Sequence, residues 1–259
     1  MSSSALAPPW HMTQRKLRAL LRQPWYLALT LVQPIIWLLL FGALFRRIIE
    51  IPGFHGGSYI DFLTPGIVVM TALFSSGWNG MGMLNDLDRG VLDRFLVSPV
   101  RRWPLIAGPL IQVAIVVVIQ SLIVVALGLL VGATFPGGVR GVLVLVGVSV
   151  LLGAALAGIS NGIALLARRE ETPIAAVNFI VLPLTFLSAT FMQENLIPAW
   201  IREIARFNPV NWAVQAGRSA LSASPDWGLV ASRSAYLLAL TVVCGWFATR
   251  AFQAYQRSI

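Results

Sequence analysis

Residues 103–139 read WPLIAGPLIQVAIVVVIQSLIVVALGLLVGATFPGGV, and residues 141–167 read GVLVLVGVSVLLGAALAGISNGIALLA, with Arg140 as the single charge between them. A membrane-spanning helix needs about 20 consecutive apolar residues. The first stretch exceeds one span but is too short for two spans and a turn. Its early prolines and the turn-forming Pro136-Gly137-Gly138 shorten it further. We therefore predict two successive membrane-spanning helices, at about 104–134 and 141–167.

Four more uncharged runs flank this pair. The whole chain of 259 residues is 57% hydrophobic and only 11% charged, with a mean hydropathy of +0.78. A soluble domain carries about 25% charged residues, so the composition excludes a soluble enzyme or a disordered tail. We predict an all-α integral membrane protein with six transmembrane helices. The other four spans are placed at about 25–45, 62–84, 173–193 and 229–250.

The distribution of basic residues predicts the orientation. The chain has 19 basic and 10 acidic residues, and most of the arginines fall before the first span, after the second, after the fourth and near the C-terminus. Basic loops stay on the cytoplasmic side, so both termini are predicted to be cytoplasmic. Residues 1–24 then form an N-terminal segment, 25–252 the transmembrane domain and 253–259 a tail. The preference for arginine over lysine suggests a GC-rich bacterial genome, and thus the plasma (inner) membrane.

Two regions outside the spans have apolar residues at helical spacing. Within residues 1–24, leucines alternate with Arg15, Lys16 and Arg18, which predicts an amphipathic helix lying among lipid headgroups. Residues 197–204 and 210–221 are too short to span a bilayer and too apolar for free loops. They are predicted to form short re-entrant helices at the outer face.

The segment Asn85–Arg102 combines charges with an apolar stripe. Leu87, Val91 and Phe95 recur at helical spacing, and Pro99 is placed to end the helix. Acidic residues fall in its first turn and a basic residue near its last, which suits the helix dipole. A plain connector would be shorter and more polar. This pattern indicates a cytoplasmic helix that contacts another protein.

The reactive residues are few. The sequence holds one cysteine (Cys244), one lysine (Lys16) and two histidines (His11 and His55). A lone cysteine forms neither an internal disulfide nor a cysteine-based zinc site, and Lys16 does not follow a glycine as a phosphate-binding loop requires. The uncharged runs that form the interior of the predicted spans contain no Asp, Glu, Lys, Arg or His, which argues against proton or voltage coupling. Their polar residues include six amides, which we interpret mainly as helix-packing contacts: Gln33, Asn79, Gln112, Gln120, Asn161 and Asn178.

Two classes of function fit these observations. The first is a transport subunit powered by a separate ATPase that contacts the 85–102 segment. The second is a non-transporting membrane protein, such as an assembly factor or a lipid-modifying enzyme. For a serine hydrolase, His55 is the single outer candidate for the general base, and a glycine-flanked loop histidine is more often a solvated turn.

The stretch NDLDRGVLDRFLVSP (85–99) resembles the cytoplasmic loop after the second span of type-2 ABC transporter permeases. It is most similar to the branch that includes the daunorubicin-resistance permeases. The stretches PLTFLSATF (183–191), LIPAW (196–200) and FNPV (207–210) resemble the same family's outer region after the fifth span. Ala189 and Gln193 depart from the glycine and proline that many members have there.

The resemblance implies a permease of an ATP-driven exporter, with no catalysis by this chain itself. Two permeases, identical or different, would pair with two ATPase subunits that use ATP and Mg. No cofactor, metal or nucleic acid is expected on this chain, whose other partner is membrane lipid. The cargo would be a hydrophobic or amphiphilic drug, antibiotic or lipid, or alternatively a lipid-linked polysaccharide. Asn178 and Phe186 are candidates for the substrate path, and the ATPase-coupling helix would use Asp86, Arg89, Gly90, Asp93, Arg94, Phe95, Ser98 and Pro99.

Overall fold

The computed structural model describes residues 24–52, 58–88, 103–167 and 171–256. Within these ranges all regular structure is helical, which confirms the predicted all-α class for the part described. A short 3₁₀ turn covers Arg46–Glu50. The helices are, in chain order, α1 (Pro24–Leu44), α2 (Tyr59–Gly77), α3 (Asn79–Asp88), α4 (Trp103–Leu130), α5 (Gly138–Ala167), α6 (Glu171–Phe186), α7 (Ala199–Ala205), α8 (Pro209–Leu221) and α9 (Trp227–Gln256).

Four helical stretches of the described chain are long and apolar enough to cross a membrane. Two shorter apolar helices cover Thr30–Leu44 and Thr172–Phe186. All six lie largely within the charge-poor runs of the sequence, so the chain is an integral membrane protein. The four long stretches are Tyr59–Asn85, Gly108–Leu130, Gly138–Ala167 and Trp227–Tyr255.

The helical bundle has two ends. At one end, which we call the loop end, the Tyr59 hydroxyl donates to the Phe191 carbonyl (3.0 Å) and the Gly137 amide donates to the Leu221 carbonyl (3.0 Å). At the other end, which we call the termini end, Met83 of α3 packs with Phe252 near the end of α9. Helix α3 therefore ends at the termini end.

Helices α2 and α5 form the centre of the bundle. Residues 63–73 of α2 are all buried, and α2 packs against α1, α4, α5 and α8. Hydrophobicity drives little association between helices in lipid, so close packing of small residues supplies the contact. Gly128 of α4, for example, lies against Thr64 of α2. Helix α9 packs on α5 and α8 at the edge of the bundle.

Helix α6 ends at Phe186, whereas the sequence predicts a span to about residue 193. The reason is Asn208, whose side-chain amide donates to the carbonyls of Leu184 (2.7 Å) and Leu187 (2.8 Å). Its side-chain oxygen accepts from the Val210 amide (2.9 Å). Asn208 therefore caps the end of α6 and the start of α8 together, and Pro209 opens α8 rather than closing α7.

Several predicted features lie outside the described residues. They are the amphipathic helix before residue 24, the His55 loop and residues 89–102.

Candidate functional site

The α2–α3 junction lies a few residues before the predicted ATPase-coupling segment. Helix α2 ends at Gly77, and α3 begins at Asn79 after a single intervening residue, Trp78. Helix α3 continues to Asp88 and so includes Asp86. Arg89, Gly90, Asp93, Arg94, Phe95, Ser98 and Pro99 lie outside the described residues.

Ser160 of α5 holds this junction. Its hydroxyl donates to the Gly77 carbonyl (2.5 Å) and accepts from the Gly80 amide (3.0 Å). Both backbone groups lie where one helix ends and the next begins, so neither has its usual partner within a continuous helix. The side-chain amide of Asn79 donates to the Asn161 side-chain oxygen (3.1 Å). We call these five residues the polar latch.

Glycine lets the latch close. A Cβ atom on Gly80 would lie 2.5 Å from the Ser160 hydroxyl oxygen and 2.6 Å from the Ser160 carbonyl oxygen. Carbon and oxygen do not approach so closely without displacement of the backbone. Helix α3 can therefore rest against α5 at this point only with glycine at position 80.

The far half of α3 is attached by apolar packing. Met83 and Leu84 are buried in a cluster with two residues of α5 and three of α9, namely Ala164, Leu165, Ala251, Phe252 and Tyr255. Such packed interiors move as units rather than deforming gradually. A force applied beyond Asp88 would therefore reach α5 and α9 through α3.

A second group of contacts, at the loop end, centres on Arg218 of α8. Its guanidinium donates to the carbonyls of Phe62 (3.1 Å), Ala189 (2.5 Å) and Thr190 (2.7 Å). It also lies over the Phe62 ring, 3.5 Å from the ring centroid. Burial lowers the pKa of Arg218 to about 9, an effect opposed by Tyr59 and Glu194, so the group stays charged at neutral pH.

Arg218 borders a cleft of about 780 Å³ that opens at the loop end. Glu194 in the same cleft accepts from the Asn211 side-chain amide (3.0 Å) and from the Gln215 side-chain amide. Asp61 accepts from the Thr134 amide (2.6 Å). These hydrogen bonds join α2, α8 and the turns between α6 and α7, so we assign Arg218 a structural role.

Substitution of Arg218 with methionine is expected to destabilise the protein. The change leaves three backbone carbonyls without their donor, which costs at least about 2 kcal/mol and lowers the midpoint of thermal unfolding by about 4–8 °C. The midpoint can be measured in detergent by fluorescence-detected gel filtration after heating. Arg206→Met is the matched control, because Arg206 is 69% exposed in a surface pair with Glu203. Equal shifts in both variants would contradict the structural role.

The two candidates for the substrate path lie on one exposed face of α6. Asn178 is exposed, and its amide donates to the Ile174 carbonyl of its own helix (3.1 Å). Phe186 is 59% exposed, and Phe179 and Leu182 are 82% and 46% exposed. Phe186 also lies 6.1 Å from the Phe191 ring. This face makes few contacts within the described chain.

The sequence drew attention to some of these residues but did not predict which groups they contact. Asn79 and Asn161 were interpreted as helix-packing amides, and the structure confirms that they contact each other. Ser160 lies between Gly158 and Gly162 in the sequence, and small residues of this kind permit close helix packing, but no pattern identifies Gly77 and Gly80 as its partners. Arg218 falls in the predicted re-entrant stretch 210–221, where nothing in the sequence distinguishes it from the other arginines of the outer segment.

The chain matches one protein-family model, described as ABC-2 type transporter, over residues 10–222. The match covers both halves of the latch, the predicted coupling segment and Arg218.

Individual relatives give the same picture. The chain is 29% identical to the daunorubicin resistance ABC transporter permease protein DrrB1 of Streptomyces coeruleorubidus, over 81% of this chain and 74% of the relative. It is 30% identical to a putative transport permease, ycf38, of Pyropia yezoensis, over 80% and 70% of the two chains. The inner membrane transport permease YadH of Escherichia coli is 26% identical over 83% and 85%.

Proposed function

The chain belongs to the ABC-2 type transporter family, and from this premise we propose that it is the membrane subunit of an ATP-driven exporter of hydrophobic or amphiphilic molecules. The chain is a transport permease and works with an ATPase in a separate partner. The observation that carries the proposal is the attachment of α3 to α5 and α9, directly before the predicted coupling segment.

In the proposed mechanism, movement of the ATPase is transmitted through the coupling helix to the helices of the permease. ATP and Mg bind to the partner ATPase, whose closure displaces the coupling helix around Gly90–Ser98. A nucleotide biases the permease only if the contact differs between the two states of the ATPase. Because α3 is held by the latch and the apolar cluster, the displacement continues into α5 and α9 as a rigid-body movement. The residues proposed to make the ATPase contact are Asp86, Arg89, Gly90, Asp93, Arg94, Phe95, Ser98 and Pro99.

The proposed assembly contains two permeases, identical or different, and two ATPase subunits. The chain would cross the plasma membrane of a bacterium six times, with α1 and α6 as the first and fifth spans and both termini in the cytoplasm. In support, α6 presents an exposed apolar face that includes Phe186 and the amide of Asn178. We propose that this face lines the substrate path at the contact with the second permease.

The proposed cargo is an amphiphilic drug, antibiotic or lipid. Two relatives support this class, because their names associate them with resistance to daunorubicin and to doxorubicin. The charge-poor helices of this chain suit a cargo that partitions into the bilayer.

Reconstitution in vesicles tests the proposed function. We expect the permease and its ATPase together to accumulate doxorubicin against a gradient when ATP and Mg are supplied, as measured by quenching of the drug's fluorescence. An ATPase unable to hydrolyse ATP serves as the control. Accumulation by the permease alone would contradict the proposal. Transport of a lipid-linked polysaccharide but not of any drug would replace the proposed cargo.

A further inference from the structure

Arg233 is a charged residue inside the last long helix. It lies on α9, six residues after the helix begins at Trp227. Because Phe252 near the other end of α9 lies at the termini end, the helix begins at the loop end. At 1.5 Å per residue, Arg233 lies about 9 Å further along the helix than Trp227. Each headgroup layer is about 5–8 Å thick, so Arg233 is placed near the boundary between lipid headgroups and acyl chains.

The guanidinium of Arg233 has no counter-charge in the described parts of the chain. Its Nε atom is buried and has no hydrogen-bond partner there, and no ion pair or other hydrogen bond joins the group to a described residue. Two carboxylates of the same end are engaged elsewhere, since Asp226 accepts from the Leu229 amide (3.0 Å) and Glu203 pairs with Arg206 (3.2 Å). A charge near the hydrocarbon normally finds a partner, because leaving it unpaired is costly.

Two aromatic residues lie beside Arg233. Its guanidinium carbon is 5.7 Å from the centroid of the Tyr236 ring, and that ring lies 5.4 Å from the ring of Trp212 on α8. Tyr236 is 49% exposed, and its hydroxyl makes no hydrogen bond with any residue that the structure describes. It is therefore free to donate. We call Arg233, Tyr236 and Trp212 the arginine site, which lies where α8 and α9 pack together.

An apolar strip continues from the arginine site toward the middle of α9. Tyr236, Leu240 and Val243 follow each other at intervals of four and three residues and so share one face of the helix. Val243 is 60% exposed, and Leu240 is partly exposed. The strip is about 10 Å long, roughly two helical turns. A molecule with a polar group at Arg233 and a hydrocarbon chain along this strip would satisfy both parts.

Charge and shape together favour an anionic phospholipid. A phosphate oxygen accepts charge-assisted hydrogen bonds from a guanidinium, and basic pockets between membrane helices bind lipid headgroups in this way. A zwitterionic phospholipid carries the same phosphate, but its ammonium group leaves no net charge to balance Arg233. Free inorganic phosphate would balance the charge but would make no use of the apolar strip.

We propose that the arginine site binds the phosphate of one anionic phospholipid in the leaflet at the loop end. The Arg233 guanidinium and the Tyr236 hydroxyl donate to the phosphate, and one acyl chain lies along Leu240 and Val243. The lipid thereby supplies the counter-charge of Arg233 and joins α8 to α9 at their lipid-facing side. The proposal does not depend on the export function, because the lipid is neither cargo nor part of the ATPase contact.

Native mass spectrometry of the permease–ATPase complex tests the proposal, with phosphatidylglycerol titrated into the detergent solution and no ATP or drug present. Arg233→Met is expected to raise the Kd for this lipid at least about tenfold, as the loss of a hydrogen bond to a charged group predicts. Arg206→Met is the matched control. It removes the same charge from the same end of the bundle, but from a group already paired with Glu203, and should change the Kd less than about twofold.

Two ligand controls identify what is bound. Phosphatidylcholine is expected to bind the unaltered complex about tenfold more weakly than phosphatidylglycerol, because it carries no net charge. Inorganic phosphate in excess over the lipid should not displace phosphatidylglycerol. Displacement would show a phosphate site rather than a lipid site, and equal binding of the two lipids would show that charge does not select the ligand. Either result overturns the proposal.

The variants can overturn it as well. An unchanged Kd in Arg233→Met, or an equal loss in Arg206→Met, would exclude the arginine site. Should Arg233→Met fail to assemble, Tyr236→Phe decides the question, because it removes a single exposed hydroxyl. Its expected effect is a rise in Kd of about threefold, typical of one neutral hydrogen bond, and an unchanged Kd would contradict the proposal.

Discussion

Replacement of Phe95 with aspartate is expected to abolish doxorubicin-stimulated ATP hydrolysis by the permease–ATPase complex, while the permease still inserts into the membrane. Phe95 belongs to the apolar stripe of the predicted coupling helix, and aromatic anchors dominate small protein interfaces. Loss of such an anchor costs about 2 kcal/mol or more, roughly thirtyfold in affinity. An aspartate would add the penalty of a buried charge without a partner.

Two further variants test whether the apolar stripe of the coupling helix is the cause of the lost stimulation. Val97→Asp places the same charge two residues away, on the other side of a helix with this periodicity, and should preserve most of the stimulation. Gly90→Pro should abolish it, because proline interrupts the helix that carries the stripe. ATP hydrolysis is measured in nanodiscs with and without doxorubicin, after assembly has been checked by gel filtration. Unchanged stimulation in both Phe95→Asp and Gly90→Pro would exclude this segment as the coupling element.

The sequence predicted an all-α membrane protein correctly because the bilayer imposes a simple rule. Each span needs a charge-free stretch of sufficient length, and such stretches can be found without knowledge of contacts. The fourth predicted span, 141–167, differs from α5 (Gly138–Ala167) only at its start. There Gly138 adopts a positive φ of 56°, which glycine permits, and the helix begins earlier than the charge at Arg140 suggested.

Contacts between helices were not predictable in the same way. Ser160 contacts Gly77 across a separation of 83 residues, and Arg218 contacts Phe62 across 156. A uniformly apolar helix has no periodic pattern that indicates which face meets which neighbour. The sequence therefore showed that serine, asparagine and arginine were present at unusual positions, but their partners depend on the three-dimensional arrangement.

The break between α2 and α3 illustrates the same limit. The sequence predicted one span over 62–84 followed by a separate helix from residue 85, whereas the structure ends α2 at Gly77 and starts α3 at Asn79. No proline marks the break. Its cause is a side chain from another helix, because Ser160 hydrogen-bonds the two backbone groups that a continuous helix would have paired otherwise.

This break has a functional consequence. If α2 and α3 were one straight helix, movement of the coupling segment would act mainly on the buried centre of α2. The latch instead joins α3 to α5, and the cluster of Met83, Leu84 and Phe252 joins it to α9. The state of the ATPase would thus be transmitted to α5 at the centre of the bundle and to α9 at its edge.

Gly80→Val is expected to disconnect ATP hydrolysis from transport. The new side chain overlaps the hydroxyl and carbonyl oxygens of Ser160, so α3 must move away from α5 and the latch must open. Overpacking of this kind typically costs about 1–3 kcal/mol. That range corresponds to a shift of roughly 5- to 150-fold in the equilibrium between latched and unlatched states. We expect ATP-driven accumulation of doxorubicin in vesicles to fall at least about fivefold, while ATP hydrolysis without doxorubicin persists.

Gly82 provides a matched control within the same helix. A Cβ atom at Gly82 meets no atom within 4 Å, so Gly82→Val adds the same side chain and the same change in helix propensity without touching α5. Accumulation should therefore stay near that of the unaltered protein. Equal losses in the two variants would mean that helix propensity, and not the contact with Ser160, explains the effect. A loss confined to Gly80→Val, reproduced in milder form by Ser160→Ala, would instead locate the transmission of movement at the latch, because both changes disturb the same contact from opposite helices.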